Sequence, residues 1–224
     1  METSEMLWQG RSPTRHGPKP VLNIGRITEV AVAMADEHGL GSVSMQAVAD
    51  AVGFTKMSLY RHVKGKDELV AVMIEYAVGE PSPISPDESW RAGVERWADR
   101  LAEEWRAHPW LAQATVGHRA IGPRETSWSE CVLQALGQLR LTPAERADVA
   151  FLLFGHLRNT QSVQTAGTQA WNEPGHRRFL AQRPDEFPAM LEVTATRPTD
   201  DLGREFGLRL ILDGVQALHE ARSS

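Results

Sequence analysis

The segment Phe54-Thr55-Lys56-Met57-Ser58-Leu59-Tyr60-Arg61-His62-Val63-Lys64-Gly65-Lys66 holds four Lys or Arg and no acid. Such a density of donors suits the phosphates and base edges of duplex DNA. If Leu59 and Val63 face a core, the opposite face of a helix offers Lys56, Met57, Ser58, Tyr60, Arg61 and His62 to a groove. Lys64 and Lys66, at the start of the next helix, suit phosphates. Taken alone, the segment also fits a solvated basic turn between core helices.

The surrounding pattern specifies what must position these side chains. Ile27, Val30, Ala31, Met34 and Ala35 fall at helical spacing after Leu22, and Gly39 supplies a stop. Ser44 is placed to cap a short second helix with Met45, Val48, Ala49 and Val52 inward, and Gly53 permits the turn that ends it. Thr55 is placed to cap a third helix running to about His62. Two short helices across a glycine-containing turn make a helix-turn-helix. A fourth helix begins near Lys66, with Asp67 and Glu68 in its dipole-favoured first turn.

Three prolines in Glu80-Pro81-Ser82-Pro83-Ile84-Ser85-Pro86 stop that helix and mark a domain boundary. Beyond it, Trp90, Val94, Trp97, Leu101 and Trp105 repeat at steps of three and four, ending before Pro109. Shorter helices are expected at 109–118 and 124–139. A long one opens at Pro143, short ones are expected at 176–182 and 186–195, and a last runs from about Asp200 to Ala221. No strand-forming run appears, so the expected fold is all-α: residues 1–20 a flexible basic arm, 21–80 the helix-turn-helix domain, and 87–224 a larger helical ligand-binding and dimerisation domain.

The chain has 224 residues and a formal net charge of −5, so nucleic-acid binding must rest on a local basic cluster and not on overall basicity. The single cysteine, Cys131, excludes an internal disulfide framework and a Cys-rich zinc site. With no signal-peptide pattern and no membrane-length apolar run, the expectation is a cytoplasmic protein that does not engage a membrane.

The run from Ser44 to Phe54, followed by Leu59-Tyr60-Arg61-His62-Val63 and Lys66-Asp67-Glu68-Leu69, resembles the tetracycline repressor family. The resemblance implies a homodimer that binds palindromic double-stranded operator DNA and releases it when a small-molecule effector, of unknown identity, fills a pocket in the C-terminal domain. By position it assigns DNA contacts to Gln46, Thr55, Lys56, Met57, Ser58, Tyr60, Arg61 and His62, with Lys66 clamping a phosphate. Met57 stands where many relatives have Gly or Pro, and Met45 where many have Thr, so no relative's operator can be transferred. His118, five residues before Pro123, matches a position that ligates a drug-bound magnesium in the family. Ser82 and Trp97, however, stand where His and Asn would support that role, so neither metal nor cofactor is expected.

Trp97, Leu101, Trp105, His118, Trp128, Phe151, Phe154 and Arg158 are the candidates to line or anchor an effector, which would be largely apolar with a few polar anchors. Aromatics at helical spacing also serve simply to fill a core. Apolar stripes on the helix after Pro143 and on the terminal helix suggest a four-helix dimer interface. Two other classes compete. An all-α enzyme lacks a phosphate loop, a His-Glu-x-x-His pair or a nucleophile elbow in this sequence, so no catalytic residue is assigned. A helical protein-interaction scaffold leaves the basic segment from Thr55 to Lys66 unexplained.

Overall fold

The computed structural model describes residues 3–9, 22–85, 87–161, 173–196 and 203–223. Every regular element among them is helical. The all-α fold is thereby observed. The chain packs as two compact units, Met1–Ala150 and Phe151–Ser224.

In the first unit, α1 (Thr3–Gln9) precedes α2 (Ile24–His38), a short 3-10 turn (Leu40–Ser42), α3 (Met45–Val52), α4 (Lys56–Leu59) and α5 (Lys66–Ala77). The starts and stops follow side-chain chemistry. Asn23, Ser44 and Thr55 each accept a backbone N–H of the helix they open, from Arg26, Ala47 and Ser58. Gly53 ends α3 in the left-handed conformation at φ 78°, which permits the turn into α4. Ile27, Val48, Leu59, Leu69 and Met73 are fully enclosed and form the core of this head.

After the proline segment come α6 (Trp90–Ala107), α7 (Leu111–Ala114) and α8 (Pro123–Leu136). Trp97 and Trp128 pack edge to face, ring centroids 6.3 Å apart, across the α6–α8 contact. Their indole N–H groups are satisfied in series: Trp97 Nε1 donates to the Trp128 carbonyl and Trp128 Nε1 to the Val78 carbonyl, each at 3.0 Å. Helix α6 is thus bonded to α8, and α8 to the C-terminal end of α5.

Helix α9 (Pro143–Asn159) crosses from the first unit into the second, which also contains α10 (Pro174–Ala181), α11 (Pro188–Thr196) and α12 (Arg204–Ala221). Within the second unit His156 Nε2 lies 2.7 Å from the Arg204 carbonyl. A Cβ on Gly207 would overlap the His156 ring, so glycine is what lets α12 lie this close to α9.

Several expectations change. Within the expected arm, Thr3–Gln9 is helical, with Met6 buried, because Met6, Leu7 and Trp8 give it an apolar face. Arg11, Arg15 and Lys19 lie outside the described residues. The third helix keeps α geometry only to Leu59; hydrogen-bonded turns then carry the chain through His62 and Val63. The helix expected over 109–118 shrinks to Leu111–Ala114, since Gly117 turns the chain at φ 79°. The proline segment separates α5 from α6, yet both pack in one unit, and hydrogen bonds that Glu75 and Val78 accept bind the end of α5 to α8.

Candidate nucleic-acid interface

Helix α4 is short, and its anchoring is correspondingly strict. Leu59 is wholly buried and Val63 almost so, which turns the intervening residues outward. Gln46, Thr55, Lys56, Met57, Tyr60, Arg61 and Lys66 are exposed, while Ser58 and His62 are half-buried. All of these expected DNA contacts thus retain solvent-accessible surface, and those from Thr55 to His62 lie on one short helix and its continuing turn.

Local interactions pre-order the face. Thr55 Oγ1 lies 2.9 Å from Ser58 Oγ and accepts the Ser58 N–H, fixing the first turn. Lys56 Nζ stands 5.9 Å from the Tyr60 ring centroid, a cation–π contact that limits the freedom of both side chains before any ligand arrives. On α3, Gln46 Nε2 donates to Asp50 Oδ1 at 2.8 Å. Met57 is 73% exposed, so its side chain is available to a partner on this face.

The start of α5 is held by Glu68, which is buried and accepts the Lys64 N–H. This carboxylate therefore organises backbone instead of projecting into the basic surface. Lys66 occupies the first position of α5, where a cation and the helix N-terminus together favour phosphate.

Two acids that carry no sequence signal tie this head to the body. Asp36, on α2, accepts the Trp110 Nε1–H at 2.7 Å and lies 2.8 Å from His108 Nδ1. Glu75, on α5, accepts the backbone N–H groups of Arg124 and Glu125 at 2.9 and 3.1 Å. In sequence each is one more acid on an amphipathic helix, because partners about fifty and seventy residues away leave no local trace.

The effector candidates separate. Trp97, Leu101, Trp105 and Trp128 are buried in the first unit. His118 does not line the interior: it is exposed in the turn after Gly117. Phe154 and Arg158 are half-buried on α9 in the second unit. Phe151 also departs from its expected place, at 74% exposure, because Val149, Leu153 and Leu157 define the buried side of α9. Among the described residues no cluster of three or more His, Cys, Asp or Glu could hold a metal, and no helix is long and apolar enough to cross a membrane.

With this geometry in hand, comparison with known proteins is decisive. Residues 82–219 match the tetracyclin repressor-like C-terminal domain, and residues 27–73 match the bacterial regulatory proteins of the tetR family. The chain belongs to the tetracycline repressor family. It is 35% identical to the HTH-type transcriptional repressor DrrR1 of Streptomyces coeruleorubidus over 96% of this chain and 85% of that protein. The fold is also that of Streptomyces coelicolor ActR crystallised with (S)-DNPA, with TM-score 0.76, 23% identity, and coverage of 89% of this chain and 99% of that one. ActR in complex with actinorhodin aligns at TM-score 0.72 and 25% identity, covering 88% and 98%. The matched families are transcriptional regulators and not enzyme families, and the chain is a helix-turn-helix transcriptional regulator.

Proposed function

We propose that this regulator is a repressor that acts in the cytoplasm as a homodimer, binds a palindromic operator through α4 and releases it when a small, largely apolar molecule binds the C-terminal helices. The observation that carries the reading is the outward face Lys56, Met57, Tyr60 and Arg61, held by buried Leu59 and Val63 at the second helix of the motif. In a dimer two such faces must meet major grooves one helical turn, about 34 Å, apart. Gln46, Thr55, Ser58 and His62 complete the contact set, and Lys66 takes a phosphate.

The second subunit is proposed to cover the apolar face of the second unit. Phe151 and Leu152 on α9, with Phe206, Leu210 and Leu218 on α12, are large and exposed in the single chain. Monomeric soluble proteins rarely leave so many apolar side chains on neighbouring helices uncovered.

For the effector, the tryptophan-rich helices α6 and α8 are proposed as binding elements, with Trp97, Leu101, Trp105 and Trp128 contributing. That ActR was crystallised in complex with actinorhodin supports a small-molecule ligand for this fold. Induction then follows from connectivity. Trp128 and the first turn of α8 are bonded to Val78 and Glu75 on α5, the helix that starts beside the recognition helix. A ligand that favours a shifted α8 re-aims the heads by its differential affinity for the two conformations. Selection of bound fragments from genomic DNA, followed by screening aromatic compounds for release, tests the reading. Absence of salt-sensitive, sequence-preferring duplex binding would overturn it.

A further inference from the structure

We infer that α1 is a clamp on the joint between α5 and α8, a positioning element that holds the DNA-binding head in register with the helices behind it. Helix α1 packs against α5. Met6 is 4% exposed, and Trp8 Nε1 donates to the Ile121 carbonyl at 3.1 Å. Ile121 immediately precedes Gly122, the residue that opens α8 and has no side chain with which to cap it. The start of α8 is therefore gripped twice: Glu75 takes its first free amides, and Trp8 takes the carbonyl just before them.

The clamp is built to open. A helix of seven residues is unstable by itself in water, because nucleation costs more than so few hydrogen bonds return. Its helicity therefore depends on docking. Docking is also incomplete: a groove of about 300 Å³ remains among α1, α2, α5 and α8, lined by Leu7, Ile24, Val72, Tyr76 and Pro123. Among the described residues, buried Met6, half-buried Leu7 and the hydrogen bond from Trp8 hold α1 in place, with the groove open beside them. Undocking would free Ile121, loosen the first turn of α8 and give α5 more orientations, at a cost small enough for a regulatory step.

The positioning role rests on the operator-binding reading, whereas the clamp itself does not, so the test has two arms on the full chain. Hydrogen exchange is followed in residues 3–9 and 123–127 for the wild type, for Met6→Asp, which buries a charge under α1, and for Trp8→Phe, which keeps a ring but removes the donor. Operator affinity is measured in parallel. Protection of α1 in the wild type is expected, with its loss in Met6→Asp and exchange in the α8 turn faster by roughly two- to tenfold, the worth of about one hydrogen bond. Trp8→Phe should show a smaller effect of the same sign, and operator affinity should fall in the order wild type, Trp8→Phe, Met6→Asp. Unprotected α1 amides in the wild type, or an undocked α1 with unchanged exchange in the α8 turn, overturns the clamp. Faster exchange in the α8 turn with unchanged operator affinity overturns its positioning role. A wild type that binds no duplex defeats the repressor reading, and the exchange arm still decides the clamp.

Discussion

The Glu75 carboxylate accepts the Arg124 N–H at 2.9 Å, so a side chain of α5 supplies the N-terminal cap of α8. Gly122 stands at the cap position without a side chain, and a Cβ there would collide with Glu75. Two changes separate capping from space. Glu75→Ala should cost about 0.5–2 kcal/mol of unfolding free energy, the usual loss for a removed cap. Gly122→Ala leaves the carboxylate present but displaces it, and should destabilise as well. Urea denaturation of both variants checks the pair; unchanged midpoints in both would mean that the cap contributes nothing to folding.

The DNA face makes a sharper distinction among its cations. Lys56→Ala or Arg61→Ala should weaken specific operator binding by about 1–3 kcal/mol where the residue reads a base. Lys66→Ala should weaken operator and random duplex alike and flatten the salt dependence, since a phosphate contact carries no sequence information. Titrations of both duplexes over a range of salt concentrations separate these cases. A cognate-only loss in Lys66→Ala would reassign that lysine to base recognition.

How much of this was legible in advance follows from the range of each interaction. Asn23, Ser44, Thr55 and Gly53 act on their own helices within a few residues, so the helix-turn-helix could be read from spacing. The inward turn of Leu59 and Val63 was likewise fixed by helical period. Glu75, Asp36 and Trp8 act across tens of residues or more, and nothing near them in sequence marks that use. For His118 the family resemblance gives a position but no burial, and the structure places it exposed just after Gly117. The exposure of Phe151 depends on the angular position that Leu153 and Leu157 impose on α9, which aromatic type alone does not give.

The exposed apolar face of α12 predicts self-association. Leu210 is 55% exposed in the single chain, between Phe206 and Leu218. Leu210→Glu should dissociate the dimer by placing an uncompensated charge in an apolar contact, while helical content is retained because the position lies outside the core of the chain. Sedimentation at micromolar concentration provides the check. A wild type that is monomeric there would remove the proposed interface altogether.

Glu173 supplies a pH-dependent prediction confined to the second unit. Its carboxylate accepts the N–H groups of Gly175 and His176 at 2.9 and 2.7 Å, capping α10. These backbone bonds favour the charged form and hold its pKa below the ordinary carboxylate value, with the nearby His176 and Arg178 acting in the same direction. The folded state therefore binds that proton less readily than the unfolded chain. The cap's contribution is complete above the ordinary carboxylate range and is lost as pH falls through the lowered folded value. Proton exchange at the Gly175 and His176 amides, corrected for the intrinsic pH dependence, should show protection declining over that acidic window. Glu173→Gln, which cannot ionise, should abolish the pH dependence while leaving α12 unaffected. A Gln variant with the same acid-dependent loss would assign the effect to another group.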